Sequence, residues 1–276
     1  MSADMTAQAS TRPGNGVSGG SVLADTMTLA KRSFRHWQLQ PGVFVTTLLF
    51  PVFTMLLMTG LIGGAVSGST SDYIPFVVAG TLALAMLFGV EATMIAATSD
   101  ITRKVTDRFR AMPISMLSLL LGRAVADMAA SVLTLVVMTF AGLALGWRWE
   151  AGVADALIAY GLLLLLRFGL VWFALFVAIR AGSPEAVAAA QILVWPIGLL
   201  STVFIDIDTM PSWLAHVASW NPLSATASAC RELFSGTAGT GYWPVENATL
   251  LAVLWPIALC LVFVPLSVRA LRDLAR

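Results

Sequence analysis

The chain has 276 residues, of which 58% are hydrophobic and only 11% charged, with a formal net charge of +1 at pH 7. A soluble domain carries about 25% charged residues, so this composition cannot cover a water-facing surface. A charge balance this close to zero also excludes an electrostatic nucleic-acid binder, which needs a clustered basic face against phosphates.

Residues 1–22 are rich in Ser, Thr and Gly and hold no apolar run behind a basic start. They are expected to form a disordered cytoplasmic tail, without a cleavable signal peptide. Gly14, Gly16 and Gly19 match a dinucleotide-binding glycine pattern, but no strand precedes them and no helix starts on them, so the match carries nothing. Over residues 23–38, Leu23, Met27, Ala30, Phe34 and Trp37 recur at helical spacing, while Lys31, Arg32 and Arg35 fall elsewhere. That pattern predicts an interfacial helix lying on an anionic inner leaflet.

Six apolar stretches follow at residues 43–66, 74–97, 124–145, 154–179, 186–205 and 248–268. Each is close to the roughly 20 residues a helix needs to cross hydrocarbon. The unbroken leucine run at 162–166 excludes the alternation of a barrel strand. The expected fold is therefore an all-α membrane protein with six transmembrane helices. Pro196 and Pro256 are placed to kink the fifth and sixth spans.

Between the second and third spans, Ile101, Val105, Phe109 and Met112 share one helical face and Arg103, Lys104, Asp107, Arg108 and Arg110 cover the rest, before Pro113 stops the helix. Residues 100–113 therefore predict a short amphipathic helix, either a docking surface or a plain basic loop. Before the last span, residues 206–247 form a long connection. Trp213, Leu214 and Val217 predict one or two helical turns. Asn221 is then placed to cap a helix with Pro222 in its first position. Leu223, Ala227, Cys230 and Phe234 line one face of that helix, and Gly236, Gly239 and Gly241 end it. These segments are apolar but too short to span, which leaves a re-entrant pair or an ordinary outer cap. Residues 269–276 read as an inner-leaflet anchor.

Orientation follows from Lys and Arg. Thirteen of the sixteen lie before the first span, between the second and third, or after the fourth and sixth; Arg148 and Arg231 lie on the opposite side, and Arg167 lies within the fourth span. Both termini are then cytoplasmic. Trp147, Trp149, Trp213, Trp220 and Trp243 fall in the outer connections, where indoles favour headgroup level. Cys230 and Cys260 read as free thiols.

Ionisable residues within spans are costly and are functional candidates. Glu91 and Arg167 differ in depth by about 6 Å, which long side chains can bridge, so an ion pair is expected between them. Asp127 lies at i+4 from Arg123. These residues either line a substrate path or fix helix packing. Catalysis finds no support: the two histidines, His36 and His216, are far apart, no zinc-spaced cysteines occur, and neither Lys31 nor Lys104 follows a glycine as a phosphate-binding loop requires. No metal or cofactor site is expected in this chain.

The stretches RFRAMPISMLSLLLGR at 108–123, MPSWLAHVASWNPLSATASACREL at 210–233 and the closing PLSVRALR resemble the permease subunit of ABC-2 type exporters, particularly the daunorubicin-resistance group. The resemblance covers residues 23–276 as one transmembrane domain. It implies a prokaryotic plasma-membrane exporter for a hydrophobic or amphiphilic drug or lipid. ATP and Mg would be bound by a separate ATPase subunit, and a second permease copy or a paralogue would complete the pathway among membrane lipids. It implies that residues 23–38 (Leu23, Met27, Phe34, Trp37) and residues 100–113 (Arg103, Lys104, Arg108, Phe109, Arg110, Pro113) contact the ATPase. It further implies that the segment holding Trp213, Asn221, Pro222, Leu223 and Phe234 is re-entrant. The alternative is a proton-coupled secondary transporter that uses Glu91 or Asp127 as carrier.

Overall fold

The computed structural model describes residues 41–102, 116–237, 239 and 241–274. The expected tail, the interfacial helix with Leu23, Met27, Phe34 and Trp37, and residues 103–115, including Arg103, Lys104, Arg108, Phe109, Arg110 and Pro113, lie outside the described residues. Among the described residues there is no strand. Five long helices come first: α1 (Pro41–Ser67), α2 (Thr70–Thr102), α3 (Met116–Ala144), α4 (Val153–Ala181) and α5 (Pro184–Leu199). A single 3-10 turn at Ile207–Thr209 leads to α6 (Ser212–Ser219), α7 (Pro222–Ser235), the one-turn α8 (Trp243–Glu246) and the long α9 (Ala248–Leu274). Asp100, expected in a separate loop helix, belongs instead to the last turn of α2.

Four helices are long and apolar enough to cross a membrane: Thr70–Thr102, Leu120–Ala144, Val153–Ala181 and Ala248–Asp273. The apolar stretch Leu48–Gly64 lies within the 27-residue α1, and the 16-residue α5 falls short of the roughly 20 residues required. The fifth stretch was expected to run to residue 205, but its helix ends at Leu199. The reason lies in the tail, where β-branched Thr202, Val203 and Ile205 favour extended backbone and the carbonyls of residues 202–204 find side-chain donors outside any helix. Hydropathy counts apolar residues and is blind to where their backbone groups bond.

The start of α5 is written locally. Ser183 accepts a hydrogen bond from the Ala186 amide at 3.3 Å with Pro184 in the first position, while Gly182, at φ 65°, closes α4 in the left-handed conformation.

The most apolar windows of α2 and α4 are 72% and 67% buried, against 33% for α3 and 22% for α9, so α2 and α4 form the centre and the others surround them. Close approach is built by glycine: the bare Cα of Gly169 in α4 admits the Pro256 backbone of α9, which a Cβ would meet at 3.0 Å. Nearby, Ser267 donates to the Trp172 carbonyl at 3.2 Å. The α7 helix packs on α2, α4 and α9 and buries Leu223, Ala227, Cys230 and Phe234.

Not every outer tryptophan reaches the rim. Trp147 is only 1% exposed, wedged against Trp149 and Phe234 at 5.8 and 5.0 Å between ring centroids. Its position after α3 put it in a connection, but the chain folds back there, with the Glu150 amide donating to the Phe234 carbonyl at 2.7 Å. By contrast Trp213, Trp220 and Trp243 are each more than half exposed, and the last two stack at 5.9 Å.

Candidate functional site

Polar side chains in the bundle gather around Arg167 of α4, which is 3% exposed. Its Nε donates to Ser131 Oγ of α3 at 3.0 Å and its Nη2 to Thr93 Oγ1 of α2 at 2.6 Å. Both hydroxyls pass their own protons back along their helices, Ser131 to the Asp127 carbonyl at 2.8 Å and Thr93 to the Gly89 carbonyl at 3.0 Å. Gly89 is what lets the guanidinium lie against α2, because a Cβ there would come within 2.6 Å of Arg167 Cζ. Nη1 has no hydrogen-bond partner among the described residues.

The chain of charge continues toward the end of the bundle where α2 stops. Asp127, 6% exposed, sits one turn from Ser131 on the same face of α3. Its Oδ2 accepts from Arg123 Nε at 3.4 Å, and Arg123 Nη1 in turn lies 3.9 Å from Asp100 of α2. A ladder of polar groups thus runs from the last turn of α2, immediately before residues 103–115, into the centre of the bundle.

The expected Glu91–Arg167 ion pair does not form. Depth along the helix axes allowed it, but rotation about the axis forbids it: Glu91 and Thr93 lie two residues apart, about 200° around an α-helix. Thr93 and Gly89 face α4, so Glu91 turns away toward α5. There its half-buried side chain borders a small apolar cleft of about 30 Å³, lined by Leu84, Leu87, Phe88, Trp195 and Leu199 among others. Among the described residues no cation or hydrogen-bond donor meets it.

At the opposite end of the bundle a second arginine, Arg231 of α7, organises the segment that continues the fifth apolar stretch beyond α5. Its Nη2 donates to the carbonyls of Thr202 and Val203 at 2.7 and 3.1 Å, and its Nε to the Phe76 carbonyl of α2 at 3.3 Å. The guanidinium carbon lies 3.5 Å from the centroid of the Phe76 ring, a cation–π distance. Loss of hydration pulls its pKa down to about 10 and the Asp206 carboxylate opposes that pull, so the group stays cationic at neutral pH. Gly80 completes the seat, since a Cβ there would collide with the Val203 carbonyl oxygen. Tyr73 holds the next carbonyl, of Phe204, at 2.7 Å.

Asn221 joins the two helices that flank this segment. Its Oδ1 accepts from the Leu223 amide at 2.9 Å and so caps α7, with Pro222 in the first position. Its Nδ2 donates to the Ile197 and Leu200 carbonyls at 2.7 and 2.8 Å at the end of α5. Leu223 and Phe234 point into the core, whereas Trp213 on α6 is exposed. Sequence reasoning assigned Asn221 only the cap, counted Arg231 merely as an outer charge, and passed over Gly80, Gly89, Thr93 and Ser131. The available signal was the pairing of a lone cation with mid-helix glycines, which mark close approach of another group.

Comparison with known proteins decides the family. The ABC-2 type transporter family model matches residues 24–234. The chain belongs to that family. The ABC-2 permease is 31% identical over 245 residues to the daunorubicin resistance ABC transporter permease protein DrrB1 of Streptomyces coeruleorubidus, covering 88% of this chain and 83% of the relative. It is 21% identical to the probable doxorubicin resistance ABC transporter permease protein DrrC of Mycobacterium tuberculosis (93% and 91% covered). A putative transport permease, ycf38, of Cyanophora paradoxa shows 24% identity over 77% of this chain and 75% of that protein. The permease is thus a membrane subunit of an ABC exporter, and this takes the place of the proton-coupled alternative.

Proposed function

We propose that this permease forms, with a second permease copy or a paralogue, the path by which a hydrophobic or amphiphilic drug or lipid leaves the cell. A separate ATPase subunit would bind ATP and Mg, because neither lysine of this chain sits in a phosphate-binding loop. In this reading α1 and α5 join the four long apolar helices to make six spans, with both termini cytoplasmic. The enclosure of α7 between α2, α4 and α9 supports the re-entrant assignment of the segment from Trp213 to Phe234, and residues 23–38 lie on the inner leaflet against the ATPase.

The observation that carries the reading is the polar ladder from Asp100 through Arg123 and Asp127 toward Arg167. It starts where α2 leaves the membrane and hands the chain to residues 103–113. A push on that loop, with Phe109 as a buried anchor and Arg103, Lys104, Arg108 and Arg110 steering the partner, would reach the core through charge pairs rather than through loose packing.

The test is co-expression with the ATPase, followed by co-purification, substrate-stimulated ATP hydrolysis and export. Phe109→Ala should weaken the docked complex by about 1–3 kcal/mol. Reversal of Arg108 and Arg110 to Glu should slow association and make it more salt-sensitive. Wild-type assembly and export in both variants would overturn the coupling role.

A further inference from the structure

We propose that Asp127 is a shared anion that changes hands between Arg123 and Arg167, so that the centre of the bundle has two charge arrangements rather than one. This deepens the coupling role given to the polar ladder and rests on the exporter reading, since it names the switch that a push at the end of α2 would throw.

Two buried charges stand close together without pairing. Arg167 is 3% exposed and Asp127 6%. The Arg167 guanidinium spends Nε on Ser131 and Nη2 on Thr93, and its buried Nη1 has no partner among the described residues. Asp127 has the complementary shortfall. Both carboxylate oxygens crowd the single Nε–H of Arg123, Oδ1 at 3.3 Å and Oδ2 at 3.4 Å. No other donor reaches them among the described residues, although a carboxylate can accept about four hydrogen bonds. A spare cationic donor and spare anionic lone pairs are thus left where unmade charge-assisted bonds are costly.

Ser131 stands between them. Its hydroxyl accepts from Arg167 Nε at 3.0 Å and donates to the Asp127 carbonyl at 2.8 Å, so only two hydrogen bonds separate the guanidinium from the Asp127 backbone. Asp127 attracts the Arg167 charge and Arg123 repels it. The hold of Arg123 on Asp127 is loose, since its contacts are longer than the roughly 2.8 Å of a tight charge-assisted bond. Its Nη1 also lies 3.9 Å from Asp100 on the last turn of α2. When that turn is displaced, Asp100 draws Arg123 with it, and Arg167 takes the vacated carboxylate through Nη1. Gly89, against which the guanidinium lies, contributes no side chain to block that swing. Return of α2 restores Arg123 to Asp127, and the net charge of the centre is the same in both arrangements.

Two measurements separate the switch from the reading it rests on. The first is thermal unfolding of the permease alone, for Asp127→Asn, Arg167→Gln and the double variant, with Ser131 present and with Ser131→Ala. With Ser131 in place the two single shifts in Tm should add to within about 1 °C. In the Ser131→Ala background the double variant should depart from their sum by about 3 °C or more, because Arg167 then pairs with Asp127. Ser131→Thr, which keeps the hydroxyl, should behave as wild type. Additive shifts in Ser131→Ala, or coupling already present with Ser131, would overturn the proposal. The second is the affinity of the complex with its ATPase, in phosphatidylcholine vesicles, for Mg-AMP-PNP, a non-hydrolysed ATP analogue. Asp127→Asn and Arg167→Gln should each weaken it about fivefold and the double variant no further, because the pair belongs to the displaced arrangement that nucleotide favours. Arg123→Gln, which leaves Asp127 to Arg167, should tighten it. Multiplied losses in the double variant, or weakening by Arg123→Gln, would also overturn the switch. Wild-type export with AMP-PNP affinity unchanged in every variant would keep the exporter and sink the switch; the expected Tm coupling in a permease that shows no ATP-driven export would keep the switch and sink the exporter reading.

Discussion

Arg167 and Arg231 place the same guanidinium among neutral oxygens, without an acidic partner in hydrogen-bond contact, yet they do so in opposite ways. Arg167 donates to two hydroxyls that already hydrogen-bond to their own helices. Remove the arginine and Thr93 and Ser131 lose only a donor to spare lone pairs. Arg231 donates to the carbonyls of Thr202 and Val203, which lie outside any helix and which no backbone amide reaches among the described residues. Remove that arginine and two carbonyls of buried residues are orphaned. Arg231 is thus part of how the chain folds, while Arg167 is a charge that the fold tolerates.

The comparison is sharpest in thermal unfolding of the purified protein. Arg231→Met should destabilise most, by about 3–4 kcal/mol, since each orphaned carbonyl costs about 1–3 kcal/mol. Gly80→Ala should follow at about 2–3 kcal/mol, because its Cβ meets the Val203 carbonyl, which is backbone and cannot swing aside. Asn221→Ala should cost about 2 kcal/mol, the loss of one helix cap together with two carbonyl donors. Gly89→Ala should cost about 1 kcal/mol, less than Gly80→Ala, because the group it meets is the movable end of Arg167. Smallest of all, Arg167→Met should lie within about 1 kcal/mol of wild type, since losing a buried charge offsets the lost hydrogen bonds. If Arg167→Met unfolds as readily as Arg231→Met, the two arginines are not different in kind.

What the sequence disclosed follows the same division. Apolar run length located the long helices but not all their ends, since α3 starts eight residues before the expected 124 and α9 runs six beyond the expected 268; burial in hydrocarbon acts along the axis and is additive, whereas helix ends depend on local bonding. Capping residues located α7, because Asn221 and Pro222 act on their own neighbours. Rotation about the axis was not legible: it depends on which helix lies alongside, and so Glu91 was paired with an arginine on the far side of α2. The end of α5 was not legible either, because residues 200–205 are as apolar as the helix before them and are drawn out of it by Tyr73 and Arg231, distant in the chain. Trp147 was misplaced for a related reason, since only the returning α7 buries it.

The double role of Asn221 has an electrostatic consequence. The last carbonyls of α5 carry a partial negative charge of about half an electron, and the first amides of α7 a partial positive charge of similar size. One side chain collects both ends, its Nδ2 on Ile197 and Leu200 and its Oδ1 on the Leu223 amide. The two dipoles are thereby closed on each other, and α5 and α7 are tied at their joint by one side chain. A rotation of α5 would have to carry the start of α7 with it, so a displacement at this end of α5 would pass to α7 through a single side chain.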